Sequence, residues 1–257
     1  MREMLEAGVH FGHQTRRWNP RMRPFIFTER NGIHILDLSQ TVRRLEDALT
    51  QVRESVSAGD SVLFVGTKKQ SREIVRREAE RCGMPFVNTR WLGGTLTNFQ
   101  TIARRIERLK ELDERAETEA DLALPKKQRL RLEKERARME RAFGGLRRLA
   151  RPPGIVFVVD PTMEEIAVKE ANRVRIPVVA MCDTNADPDI VDFPVPSNDD
   201  AIRAIQLITG RVADAVLEGR AYSDAEEELA AQQRAAAAAG SREQPGAAPS
   251  EAAPPAG

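Results

Sequence analysis

Cysteine is nearly missing from this chain. Cys82 and Cys182 stand alone, with no metal-ligand spacing around either. That excludes a disulfide framework and a cysteine-based zinc module, and it predicts a reduced, cytoplasmic protein. Long apolar runs are missing too, so no membrane-spanning helix is expected, and the start does not read as a signal peptide. Net charge is small, +1 from 40 Lys and Arg against 39 Asp and Glu. The sum hides an asymmetry: from Ala221 onward six acids face two arginines, which leaves residues 1–220 at +5. That excess is modest, so binding to a polyanion would depend on local patches rather than on a global field. Catalytic signatures are absent as well. Gly66 opens neither Gly-x-Gly-x-x-Gly nor Gly-x-x-x-x-Gly-Lys-Ser/Thr, and no serine or cysteine has a local pairing with histidine and acid.

What is present is an alternation of strand and helix signals. Phe25–Thr28 and Ile33–Leu38 flank the turn dipeptide Asn31-Gly32. Val42, Leu45, Leu49, Val52 and Val56 step by three and four, the stripe of an amphipathic helix. Strands are expected at Ser61–Val65, Pro85–Asn88, Ile155–Val159, Ile176–Cys182 and near Val191–Val195. Helices are expected over Lys69–Cys82, from a Thr162/Glu165 capping box to Val174, and along Ile202, Ile205, Ile208, Val212 and Val216. The pattern predicts an α/β, doubly wound, mainly parallel sheet covered by helices on both faces.

Residues 99–149 interrupt it with two charged helices around Glu119–Lys127, where Pro125 acts as a breaker. Ile102, Ile106 and Leu109 on the first, and Leu132, Met139 and Leu146 on the second, form a narrow seam. The expectation is an inserted antiparallel coiled-coil hairpin; ordinary sheet-covering helices are the alternative. Residues 102–151 hold sixteen basic against ten acidic side chains. Antiparallel pairing would bring Arg104, Arg105 and Arg108 beside Arg147, Arg148 and Arg151 at the base, with Glu114, Glu117, Glu119 and Asp121 towards the tip. The domain reading is therefore 1–98 and 150–220 as the globular part, 99–149 as the hairpin, and 221–257 as an acidic then Ala/Pro-rich disordered tail.

Three places hold candidate functional residues. The start packs Arg16, Arg17, Arg21 and Arg23 among His10, Phe11, His13, Trp18 and Phe25, with no acid between Glu6 and Glu29. Guanidinium groups interleaved with rings suit phosphates and exposed bases, and two prolines stiffen the segment into an ordered arm. Lys68, Lys69 and Arg72 lie at a helix start, where bound phosphate would relieve the conflict between cations and the helix dipole. The hairpin base adds Arg104, Arg105, Arg108, Arg147 and Arg148. A bound divalent metal, through His13 with Asp183 or Asp199, is a further candidate, although Asp199 and Asp200 also serve as helix-cap residues.

Several blocks resemble a known family in their wording and order: Met4 to Thr15 followed by Trp18-Asn19-Pro20, Phe64 to Lys69, Arg90-Trp91-Leu92-Gly93-Gly94-Thr95-Leu96-Thr97-Asn98, Ile176-Pro177 to Asp183-Thr184-Asn185, and Pro196 to Ile205. This sequence is similar to the bacterial small-subunit (30S) ribosomal protein S2 family over residues 1–220. The resemblance implies a non-catalytic part of the cytoplasmic ribosome that binds 16S ribosomal RNA at the junction of head and body. It also implies contacts with neighbouring small-subunit proteins and support for docking of ribosomal protein S1, with no membrane, no small-molecule substrate and no required cofactor. A phosphate-ligand enzyme using the sheet crevice and a coiled-coil protein adaptor are the competing readings.

Overall fold

The computed structural model describes residues 1–116 and 125–240. After a short helix α1 (Arg2–Glu6), three strands, β1 (Phe11–Gln14), β2 (Ile26–Arg30) and β3 (Ile33–Leu36), form an antiparallel sheet in the order β1-β3-β2. Asn31 and Gly32 both adopt positive φ between β2 and β3, as a tight hairpin turn requires. Helix α2 (Leu38–Ser57) then leads into a five-stranded parallel sheet of β4 (Val62–Val65), β5 (Phe86–Val87), β6 (Ile155–Val159), β7 (Val178–Cys182) and β8 (Phe193–Pro196). Its order is β5-β4-β6-β7-β8, and every pair is parallel. The chain steps outward from β4 to β5 and returns past β4 to β6, so the winding reverses between β4 and β6. A doubly wound sheet opens its ligand crevice at the carboxyl ends of two such strands.

Every residue of β4, β6 and β7 is buried, because helices cover both faces. Phe64 and Phe157 point to one face, against Leu49 and Val52 of α2, Ile74 and Val75 of α3 (Arg72–Cys82), and the last helix. Leu63, Val65, Val156 and Val158 point to the other, where Met22 and Phe25 of the arm meet the last sheet-covering helix before β7. The strand period of two thus sorts one apolar run into two cores.

Between β5 and β6 come α4 (Phe99–Ala116) and α5 (Lys126–Phe143), packed side by side. Ile102, Ile106, Leu109 and Leu112 are buried with Met139 and Phe143, and Leu132 is partly buried against the same cluster. Ion pairs Arg108–Glu135 (3.4 Å) and Asp113–Arg136 (2.6 Å) join the two helices. Their apolar cluster runs on into the sheet face through Trp91 and Leu96, so the pair is rooted in the globular core. The segment 117–124, with Glu117, Glu119 and Asp121, lies outside the described residues.

The remaining helices are α6 (Glu165–Val174) and α7 (Ile202–Gly240). Four differences from expectation have physical causes. Helix α3 begins at Arg72 rather than Lys69, because residues 68–71 form a turn closed by Ser71 N to Lys68 O (2.9 Å). The Thr162/Glu165 capping box does not form; the Asp160 carboxylate accepts from the amides of Thr162 and Met163 instead (3.0 and 3.1 Å). Asn198, rather than Asp199 or Asp200, accepts the amides that precede α7. Finally, α7 runs to Gly240, past Ala221, where the tail of residues 221–257 was expected to begin; residues 241–257 of that tail lie outside the described residues. Alanine has the highest helix propensity and no proline intervenes before Pro245, so the segment extends the helix that precedes it. No described helix is long and apolar enough to cross a membrane.

Candidate functional site

The crevice between β4 and β6 is filled by the protein's own side chains. Lys68, just past β4, places Nζ 3.3 Å from Asp160 Oδ2, 2.6 Å from Asp199 Oδ1 and 2.5 Å from Asp200 Oδ1. Asp160 ends β6 in a left-handed conformation, and Asp199 is fully buried. Burial lowers the pKa of Lys68, but the hydrogen bond and charge of Asp199, with Asp200 and Asp160, hold it well above the ordinary lysine value. The ammonium therefore stays charged and bridges three carboxylates. Asp199 is pushed up to about 7 by burial and by the charges of Asp160 and Asp183, against the opposing pull of Lys68. Beneath them Glu164, raised chiefly by burial, accepts the amide of Thr67 (2.7 Å).

The N-terminal arm lies over this cluster. Thr184, at the end of β7, accepts the amide of His13 through its hydroxyl (2.9 Å) and that of Asn19 through its carbonyl (2.7 Å). Gly12 makes this possible: a Cβ there would fall 2.5 Å from Thr184 Cγ2 and 3.1 Å from the His34 carbonyl. His13 Nδ1 stands 3.1 Å from Asp183 and Nε2 3.4 Å from Asp200. The hydrogen bond to Asp183 raises the His13 pKa, burial opposes it, and the charges of Asp183, Asp199 and Asp200 add to the rise. Gly66 is likewise a packing residue, since a Cβ would meet Val75 at 2.8 Å and Ser71 Oγ at 2.9 Å.

Of the metal candidates, His13, Asp199 and Asp200 bring one donor atom each within 4.8 Å of the others. Asp183 meets His13 from the opposite ring nitrogen. Asp199 Oδ2 is buried without a hydrogen-bond partner, a donor that would suit a cation. Lys68 already supplies a positive charge there.

A second carboxylate organises the block Trp91 to Thr97. Glu170 of α6 accepts from Trp91 Nε1 (3.1 Å), from the amides of Gly94 (2.7 Å), Leu96 (3.0 Å) and Thr97 (3.1 Å), and from the Thr97 hydroxyl (3.1 Å). Burial would raise its pKa, but these donors hold it below the ordinary value. Gly94, at φ +89, lets the loop close around the carboxylate and lead into α4. Trp91 is a buried packing anchor here, not an exposed ring.

The proposed phosphate-binding cations divide into two sets. Arg21 pairs with Asp187 and Asp189, which come from the β7–β8 connection and overturn the expectation of an acid-free surrounding. Lys68 is held by three aspartates, Arg108 by Glu111 and Glu135, and Arg147 by Asp113 and Glu140. Arg72 donates to the Thr67 carbonyl (2.7 Å). By contrast Arg16, Arg17, Arg23, Lys69, Arg104, Arg105 and Arg148 are exposed, and none has a carboxylate partner among the described residues. The single basic cluster expected at the helix-pair base is also dispersed. Arg147 turns to Asp113, Arg148 stands over Gly83, and Arg151 reaches Gly59 and Asp60.

Sequence reasoning missed the mutual partners in these clusters, above all Glu170 and the placement of Lys68. The strand-end position of Lys68 and Asp160 was the one available signal. What the protein is follows from comparison with known families. Residues 4–219 match the family described as Ribosomal protein S2, so the chain belongs to that family and is a structural, non-enzymatic constituent of the small ribosomal subunit.

Proposed function

We propose that this protein binds 16S ribosomal RNA at the junction of head and body and supports the docking of ribosomal protein S1. In this reading α4 and α5 form an antiparallel coiled-coil hairpin inserted as residues 99–149 into a globular domain of residues 1–98 and 150–220. The observation that carries it is the split among the cations. Arg16, Arg17 and Arg23 on the arm, Lys69 beside α3, and Arg104, Arg105 and Arg148 at the helix-pair base are exposed and free of carboxylates among the described residues. Such charges are available to displace counterions from RNA phosphates, with shape rather than base edges being read.

Replacing Arg16, Arg17, Arg23, Arg104 and Arg105 by Gln tests the reading in reconstitution with small subunits lacking this protein. Affinity should fall, and the logarithmic salt slope should flatten by roughly 0.7–0.9 per lost phosphate contact. An unchanged slope overturns the RNA reading and favours a protein adaptor.

A divalent cation is the second reading of the carboxyl-end cluster, favoured by the convergence of His13, Asp199 and Asp200 and by the unpartnered Asp199 oxygen. Calorimetric titration with zinc against wild type and Asp200→Asn decides it. Absence of saturable binding removes the metal.

A further inference from the structure

The opposite end of the sheet holds a cavity of about 430 Å³ at the amino ends of β4, β5 and β6, bordered by Asp60, Gly83, Arg148, Arg151, Arg220 and Asp224. Gly83 ends α3 in the left-handed conformation at φ +69. A Cβ at this position would fall 2.9 Å from Arg220 Nη1 and 3.1 Å from Arg148 Nη1. Two guanidinium groups, one following the helix pair and one from α7, therefore converge on a single glycine, with these nitrogens no more than about 6 Å apart.

The surroundings do little to neutralise this pair. Neither arginine has a carboxylate within 4 Å among the described residues, whereas Arg81 meets Glu78 and Asp214, and Arg53 meets Glu46 and Glu218. Arg220 donates weakly to the Gly83 carbonyl (3.4 Å) and lies near Met84 sulfur (3.9 Å). Arg148 makes no hydrogen bond among the described residues. Arg151, the third arginine of the cavity, is held by Gly59 O (2.5 Å) and Asp60 (3.3 Å) and marks its wall. Capping of the α3 C-terminus accounts for Arg220, since cations are favoured there. It leaves Arg148 unexplained, because one arginine already covers the carbonyl and a second adds like-charge repulsion.

We propose that Arg148 and Arg220 form a two-guanidinium clamp for one backbone phosphate of ribosomal RNA, with Gly83 as its floor. A phosphate between two planar forks accepts hydrogen bonds from both and neutralises their repulsion. Glycine at position 83 is required by the left-handed end of α3, at φ +69, and it leaves no side chain between the two guanidiniums. Arg148 also borders a neighbouring cavity of about 390 Å³, lined by Arg76 and Arg141 and also by Glu80 and Glu140. The inference rests on the RNA-binding reading above and assigns one contact within it.

The test is a double-mutant cycle with Arg148→Gln, Arg220→Gln and the pair, measured as salt-dependent binding to small subunits lacking this protein. Because one phosphate is shared, the pair should flatten the logarithmic slope by roughly 0.7–0.9 rather than by twice that. Either single variant should already cause most of the affinity loss, about tenfold. Arg148→Lys should recover little, because an ammonium lacks the fork. Two independent slope losses that add would overturn the shared clamp. Normal RNA binding by the pair, while the Arg104 and Arg105 variants lose theirs, would overturn the clamp and leave the RNA reading standing. A salt-insensitive wild type would overturn that reading itself. Should the pair fail to fold, Arg148→Gln alone decides, since its side chain holds no hydrogen bond among the described residues. Unchanged RNA affinity with a lowered Tm would mean that the two arginines only cap α3.

Discussion

The two ends of the parallel sheet treat positive charge in opposite ways. At the carboxyl end Lys68 is largely buried and faces three aspartates, while His13 closes over them from the arm. At the amino end Arg148 and Arg220 are exposed over Gly83 with no carboxylate within 4 Å among the described residues, although Asp60 and Asp224 border the same cavity. One end uses its cation to hold the fold together, and the other leaves its cations available to a partner. The same residue class thus sits in two environments, decided by which acids the fold brings near.

Removing the internal cation should have the largest effect. Lys68→Met leaves Asp160, Asp199 and Asp200 without their counter-charge, and breaking a buried ion cluster from one side costs about 3–5 kcal/mol. For a domain of this size that is roughly 10 °C of Tm, read by calorimetry. A loss of only a degree or two would mean that the carboxyl end is not held by its charges.

Glu170→Gln sharpens the comparison, because here a carboxylate is satisfied by neutral donors. The amide cannot accept from all five of them, and its own N–H groups would face amides of the loop. A destabilisation of about 2–3 kcal/mol is expected, with Trp91 fluorescence shifted towards that of an exposed ring. Since the folded pKa of Glu170 is depressed, its contribution is present above the ordinary value and is lost as pH falls through the lower one. The gap between wild type and variant should therefore close on acidification.

His13 gives the opposite sign. Its folded pKa is raised by Asp183, so its contribution is complete below the ordinary histidine value and is lost as pH rises through the folded one. The Tm difference between wild type and His13→Gln should shrink as pH rises above the ordinary histidine value of about 6.5. A gap that widened with pH would mean that His13 is held neutral.

The smallest effect belongs to the amino end. Arg148→Gln should change stability by less than about 0.5 kcal/mol, because an exposed side chain without a partner contributes little. A larger loss would erase the contrast between the two ends.

Much of the fold was legible because it depends on local pattern. The unbroken run Ile155–Val159 reads as a strand covered on both sides, and the three-and-four stepping through α2 faces the core from Leu45 to Val56, with Val42 left exposed. The arm was readable as ordered from Pro20 and Pro24. The charged segment from Phe99 showed its helices because Ile102, Ile106 and Met139 keep helical spacing. The site was less legible. Arg21 read as free because its acids, Asp187 and Asp189, lie far along the chain. Glu170 gave no sign of the loop it holds, since that loop precedes it by more than seventy residues.

By itself the sequence determined the alternation of elements, the two-faced sheet and membership of the S2 family, because periodicity and short motifs are properties of neighbouring residues. Only the tertiary structure decided which charges are neutralised. Lys68 is matched by Asp160 from β6 and by Asp199 and Asp200 from the approach to α7, while Arg148 and Arg220 meet over a glycine from a third part of the chain. Electrostatic energy depends on distance and burial rather than on chain order, so a cation's role emerges only once the fold has placed the acids.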